Sequence, residues 1–172
     1  MPSKKLLKDF IIREMQEKDI PEVNRIYNAA IKLRTATAHM ESLPIYYHED
    51  WYHNHIKGNN PILIAEKDQN FLGWNALSDY RSGREALRNV RETSYYIDQA
   101  YWGRGIASEL MSKMIEMAKA NGIKILVTFI MDANPVSVQL MDKFGFKLWG
   151  RLPQIIEMET ENYDHLIFGK NL

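Results

Sequence analysis

The sequence predicts an α/β protein with a mixed sheet, and three observations carry that prediction. Apolar residues early in the chain, and again after residue 105, recur at three- and four-residue spacing, the period of a helix with one buried face. Residues 123–131 are apolar nearly throughout (Ile125, Leu126, Val127, Phe129, Ile130), as befits a strand covered on both sides. Strand-like and helix-like segments then alternate to residue 149, which implies right-handed crossover connections.

Each element has its own local reason. Phe10-Ile11-Ile12-Arg13 reads as a short first strand. A helix follows with Asp19 as its N-cap and Pro21 in its first turn, and Ile20, Val23, Ile26, Tyr27, Ala30 and Ile31 form its buried face. Residues 43–56, rich in Tyr, His and Trp, read as a second helix. Residues 61–66 and 71–77 read as strands joined by Lys67-Asp68-Gln69-Asn70, a hairpin signal. Residues 90–97, with Val, Thr, Tyr and Ile, make a further strand. The next helix shares a face among Ile106, Leu110, Met114 and Met117 and stops at Asn121-Gly122. Asn134-Pro135 starts another helix, ended by Gly145, and residues 146–149 and 165–168 complete the set as a strand and an apolar closing segment. No repeat, low-complexity tract or linker interrupts the 172 residues, so 1–172 reads as one domain.

Composition narrows the function. Apolar residues make up 45% and charged residues 26%, and 22 basic side chains balance 22 acidic ones. No global field pulls the chain onto nucleic acid or anionic lipid, so neither is expected as a partner. The absence of cysteine excludes disulfides, thiolate metal sites and a cysteine nucleophile, and it suits a reducing cytoplasm. No apolar run approaches the ~20 residues that cross a bilayer, and residues 1–9 lack the core of an export signal. The chain reads as soluble and cytoplasmic. His48, His53 and His55 invite a metal, but spacings of five and two do not bring three rings to one helical face, so none is expected.

The most informative stretch is Gln99-Ala100-Tyr101-Trp102-Gly103-Arg104-Gly105-Ile106-Ala107-Ser108. Two glycines flank a basic residue between a strand and a helix start. Glycine lets backbone approach a ligand, helix-start N–H groups favour an anion, and Arg104 adds charge. A dinucleotide fingerprint would need glycine at Ser108 and an acid near Lys124, and a P-loop would need Gly-Lys-Ser/Thr; neither is present.

That turn, its helix, the buried strand, Asn134 and Lys143-Phe144-Gly145-Phe146 together resemble the GNAT superfamily of N-acetyltransferases. Its (Gln/Arg)-x-x-Gly-x-(Gly/Ala) loop is matched by Trp102-Gly103-Arg104-Gly105-Ile106-Ala107, with Trp102 replacing the usual Gln or Arg. The resemblance extends to the phosphinothricin and methionine sulfoximine N-acetyltransferases through Ile12-Arg13, Asp19-Ile20-Pro21, Ile26-Tyr27-Asn28, Thr35-Ala36-Thr37, Gly73-Trp74, Tyr80-Arg81-Ser82 and Glu92. Ala38 stands where an aromatic follows the threonine motif, and residues 157–164 depart from a Lys-Phe-Gly-x-Trp region.

What the resemblance implies is a central mixed β-sheet flanked by helices and acetyl-coenzyme A as the acetyl donor to a small amino-acid-like amine. It implies coenzyme contacts from the backbone of Tyr95, Tyr96 and Ile97, from Gly103 through Ser108 (Arg104, Gly105, Ile106 and Ala107 between them), and from Asn134. Thr37 and Arg81 fall in its acceptor site, and a homodimer is expected. Asn134 followed by Pro135 is also a plain helix N-cap. Acetyl transfer needs a base for the amine and a donor for the oxyanion, and the leaving thiolate needs a proton. Glu92, in a half-buried strand, is the candidate base, because desolvation raises a carboxylate's proton affinity; its competing reading is a surface partner of Arg88 or Arg91. Arg81 offers a planar fork for a substrate carboxylate. The family's proton-donor position is Met141, which cannot donate, so either the thiolate leaves without a protein acid or another group, such as Tyr101 or a water, substitutes. Direct transfer without an acyl-enzyme is the expected route. Acetylation of a polyamine or protein amine, and a coenzyme-binding sensing domain without catalysis, are the rival readings.

Overall fold

A computed structural model describes residues 6–172; residues 1–5, part of the segment read as lacking an export signal, lie outside that span. In chain order the elements are β1 (Ile11–Glu14), α1 (Ile20–Lys32), α2 (Ile45–Lys57), β2 (Ile62–Lys67), β3 (Asn70–Asp79), β4 (Val90–Ile97), α3 (Ile106–Ala120), β5 (Ile125–Met131), α4 (Pro135–Lys143), β6 (Lys147–Glu157) and β7 (Asn162–Asn171). The strands form one seven-stranded mixed sheet in the order β1-β2-β3-β4-β5-β7-β6. Every neighbouring pair is antiparallel except β4 with β5. The alternating pattern thus gives the mixed α/β class expected of it. Among the described residues no helix is long and apolar enough to cross a membrane.

Two apolar layers sandwich the sheet. α3 lays Ile106, Leu110, Met111, Met114 and Ala118 on one face, against Leu63, Leu72, Leu77, Leu126 and Ile130. α1 lays Ile20, Val23 and Ile26 on the other, against Ile62, Ile64, Trp74 and Ala76. β2 serves both layers because successive strand residues point to opposite faces. Each such aliphatic side chain contributes roughly 1.5–3 kcal/mol on burial. Met117, expected on the α3 face, is only half-buried there. The β2–β3 hairpin turns on Asp68 and Gln69, both with positive φ (48° and 64°), the two-residue turn whose twist matches its strands.

Two expectations need correction. Asp19 sits at the N-cap position of α1 but makes no side-chain cap. Its carboxylate instead takes Arg13 at 2.6 and 2.9 Å and the Gln16 amide at 2.8 Å, while the same guanidinium reaches Glu66 of β2 at 2.6 Å. The acid ties β1 and β2 to the start of α1. The strand expected over residues 146–149 runs on to Glu157, carrying Pro153 within it. β6 is an edge strand, mostly exposed, so it shows no apolar alternation and tolerates a proline. Met141, the position of the family's proton donor and already read as unable to donate, is fully buried against the α3 layer.

Two outcomes follow from this packing. Burial works to raise the Asp19 pKa, but the Arg13 guanidinium and the Gln16 amide outweigh it and hold the value below the usual carboxylate range. Asp19→Ala therefore lowers stability by about 2 kcal/mol near neutrality. That difference from wild type is fully present above the ordinary carboxylate pKa of ~3.9 and disappears as pH falls through the depressed folded value; urea midpoints across roughly pH 2–7 measure it. Met141→Tyr places a larger, polar-tipped ring in a filled core and costs about 1–3 kcal/mol in the same assay, with no new hydroxyl delivered to the surface.

Candidate active site

Parallel pairing of β4 with β5 lasts for Val90 with Ile125, Arg91 with Leu126 and Glu92 with Val127, and then stops. β4 continues beside β3 as far as Ile97 opposite Gly73, and β5 beside β7 as far as Met131 opposite His165. A gap opens in the sheet between them. Peptide groups that face it lack a strand partner and are available to a ligand. The Ile97 carbonyl accepts from the Trp102 indole nitrogen at 2.8 Å, whereas the Tyr96 carbonyl lies against Gly73 of β3. Alternate strand residues direct their peptide groups to opposite sides, so Tyr95 and Ile97 face the gap and Tyr96 is turned to β3. Of the three backbone positions expected to contact the coenzyme, Tyr95 and Ile97 face the gap and Tyr96 does not.

The gap floors a cleft of about 1510 Å³ between α1, residues 101–108 and α4. That exceeds the roughly 300–1,000 Å³ of most small-molecule pockets and suits an elongated ligand. Gly103 and Gly105 both take left-handed φ, 73° and 89°. A Cβ on Gly105 would stand 3.0 Å from Leu6 Cδ2. The first helical bond of α3 runs from the Glu109 amide to the Gly105 carbonyl at 3.1 Å, which leaves the amides of Ile106, Ala107 and Ser108 at the positive end of the helix dipole without an intrahelical acceptor. Arg104 Nε is buried without a partner among the described residues, and its guanidinium lies 5.7 Å over the Tyr101 ring. A buried donor in that condition is costly until an acceptor arrives. Lys143 reaches across from α4 to the Ser108 hydroxyl at 2.8 Å. Donors and positive charge converge, and a diphosphate is the anion this arrangement fits.

Asn134 caps α4 through its side-chain oxygen, which accepts from the Ser137 amide at 3.1 Å, and it lines the cleft. Glu92 lies on the opposite side of the sheet. Ser78 is its cross-strand neighbour and contacts His55 of α2 at 3.0 Å, so both face the α1–α2 layer. Burial pushes the Glu92 carboxyl above its usual range. Arg91 does not offset this, because it is occupied by Asn60 at 2.8 Å and Asp79 at 3.2 Å.

The remaining residues spread out. Arg81 sits exposed in the turn after β3 with φ +56° and does not line the cleft. The Thr37 hydroxyl lies 2.9 Å from the Tyr27 hydroxyl, beside the buried Tyr96 ring and outside the cleft wall. His48 and His55 are packing residues. Burial holds His48 down to about 4, and the Asn24 side-chain amide donates to its Nδ1 at 3.0 Å. The sequence did not single out Ser137 or the indole of Trp102. Ser137 stands three residues after Asn134, the position an N-cap contacts, and that spacing was the available signal.

Residues 23–146, which take in the whole cleft, match the acetyltransferase (GNAT) family. YwnH of Bacillus subtilis (strain 168), provisionally named a phosphinothricin acetyltransferase, is 33% identical over 94% of this chain and 98% of its own. An L-methionine sulfoximine/L-methionine sulfone acetyltransferase of Pseudomonas aeruginosa is 29% identical, with 84% of each chain covered. The crystal structure of an N-acetyltransferase from Staphylococcus aureus Mu50 superposes with a TM-score of 0.91 over 95% of this chain and 99% of its own, at 29% identity. Sequence and architecture agree along nearly the full length, and the chain belongs to the acetyltransferase (GNAT) family.

Proposed function

We propose that residues 1–172 act as one domain that transfers the acetyl group of acetyl-coenzyme A to the amine of a small amino-acid-like molecule. The observation that carries this reading is the gap between β4 and β5, lined on its α3 side by the anion-ready turn. Glu92, the last β4 residue paired with β5, stands where the gap begins, facing the α1–α2 side, and is not itself part of the cleft wall. Acetyl-coenzyme A, when bound, supplies an activated thioester. The protein's own groups do the rest. The amides of Ile106, Ala107 and Ser108 with Arg104 hold the diphosphate, and Asn134 with the outward peptide groups of Tyr95 and Ile97 holds the pantetheine arm. Those strand amides also donate to the carbonyl oxygen as charge develops on it. Glu92 takes the proton of the attacking amine, directly or through water, and its burial matches its proton affinity to that task.

The acceptor class follows from the relatives' named substrates, which are amino-acid analogues. Arg81 is the candidate carboxylate contact. It follows Tyr80, whose ring stacks on Phe129 of β5 at 6.4 Å, and Phe129 is two residues beyond the partner of Glu92. Thr37 is assigned to the same acceptor side through its contact with Tyr27. A cytoplasmic setting, which the cysteine-free composition suits, and a homodimer, which the resemblance implies, belong to this reading.

A pH–rate profile with acetyl-coenzyme A and amino acids or their analogues tests the assignment of Glu92. Wild-type kcat falls as pH drops through a value above the ordinary carboxylate range, because only the ionised carboxylate accepts a proton. Glu92→Gln loses about 10²- to 10⁴-fold in kcat, and the deficit narrows as pH rises and the amine arrives deprotonated. Superimposed profiles would remove Glu92 from the mechanism. Gly105→Val adds a branched side chain at φ +89° and crowds the three free amides. Calorimetry should show acetyl-coenzyme A binding abolished, in a protein that still unfolds cooperatively though at a lower midpoint, because the left-handed φ strains valine; undiminished affinity would sink the diphosphate assignment.

A further inference from the structure

A thiolate leaving a thioester needs its developing charge stabilised, just as the attacking amine needs a base. Met141 cannot meet that need, since its side chain is sealed in the core. The cleft wall carries a different pair of polar groups for the purpose. Tyr95 reaches it from β4 and Ser137 from the first turn of α4, so the two flank the gap from opposite sides. The Tyr95 hydroxyl donates to Ser137 Oγ at 2.8 Å. Asn134 fixes the Ser137 backbone by accepting its amide at 3.1 Å. With one Ser137 lone pair filled by Tyr95, the serine's own hydrogen is left to turn into the cleft.

We infer that Ser137 is the hydrogen-bond donor to the departing thiolate sulfur, and that Tyr95 is the positioning residue that sets the direction of its hydroxyl. This rests on the acetyl-transfer reading and deepens it. In the step concerned, the amine nitrogen forms a bond to the acetyl carbon and gives its proton to Glu92. The carbon–sulfur bond breaks with its electron pair on sulfur, which leaves as a thiolate bonded to the Ser137 hydroxyl and takes a proton from water on release. No proton has to leave Tyr95. Burial holds the Tyr95 phenol up to about 12, so it stays a donor to Ser137 throughout the working pH range. A thiol of ordinary pKa near 8.5 is a fair leaving group, and a hydrogen bond to the thiolate is what it lacks in a dry cleft.

The test compares Ser137→Ala, Tyr95→Phe, the double variant and Ser137→Thr with wild type, each with acetyl-coenzyme A and a turned-over amine. Ser137→Ala is expected to lower kcat roughly 10- to 100-fold, the loss of one hydrogen bond to a charged group, with the coenzyme Kd by calorimetry and the amine KM unchanged. Tyr95→Phe lowers kcat by a smaller factor, and the double variant is no slower than Ser137→Ala, because Tyr95 acts only through the serine. Ser137→Thr, which restores the hydroxyl, recovers most of the rate. Unfolding midpoints establish that each variant is folded. Undiminished kcat in Ser137→Ala, a loss confined to coenzyme Kd, or multiplying losses in the double variant would each overturn the assignment while leaving acetyl transfer standing. Wild-type protein that binds acetyl-coenzyme A yet acetylates no amine would overturn the acetyl-transfer reading, and this inference with it.

Discussion

Parallel pairing holds β4 to β5 from Val90 to Glu92, and past that point the two strands run apart. A longer ladder would have paired the outward peptide groups of Tyr95 and Ile97 and sealed the sheet. The opening is stable because neither strand needs the other there. β4 keeps β3 as a partner to its end, and β5 keeps β7. Each half-sheet also has its own anchoring: the outer strands β1 and β2 are tied to α1 through Arg13, Asp19 and Glu66, and β7 is backed by the long edge strand β6. A ligand that enters the gap meets backbone already fixed in place, so little reorganisation opposes its binding.

The same geometry keeps opposite charges apart. Free helix-start amides, Arg104 and Lys143 gather on the α3 side, whereas Glu92 faces the α1–α2 layer. Had Arg91 turned to Glu92, a neighbouring cation would have lowered the carboxyl pKa and cost it its basicity. Asp79 and Asn60 draw Arg91 away along the strand edge. Asn60 and Asp79 thus leave burial alone to set the proton affinity of Glu92.

The helices and the central strands were legible because burial imposes a period on them. Ile106, Leu110 and Met114 announced α3, and an apolar run broken only by Thr128 announced β5. The glycine turn was legible for another reason: two left-handed residues beside a helix start leave few sequences able to serve. β6 was not legible, since an exposed edge strand has no reason to alternate and can include Pro153. The role of Asp19 was hidden because its partner Arg13 is shared with Glu66, 53 positions from that arginine in sequence and adjacent to it only across β1 and β2. Arg81 and Thr37 came from motif likeness, and neither reaches the cleft wall, because motif likeness fixes a chain position and leaves the direction of the side chain open. Met141 shows the same limit from the other side: its chain position matched the family's donor, yet its side chain fills the core.

The strand order β5-β7-β6 has a consequence for how the protein is assembled during synthesis. β7 comes last in sequence but lies between two strands made before it, with seven residue pairs to β5 and seven to β6. Until it arrives, β5 is held to the sheet by three pairs alone, and β6 has no partner within the sheet. The β2–β3–β4 meander can form early from near-neighbour pairings, but the second wall of the cleft waits for β7, whose pairing with β5 spans a longer stretch of chain and is slower to close. A nascent chain that stops short of Asn162 presents unpaired β5 and β6 edges, the kind of surface on which unfinished proteins aggregate and chaperones act.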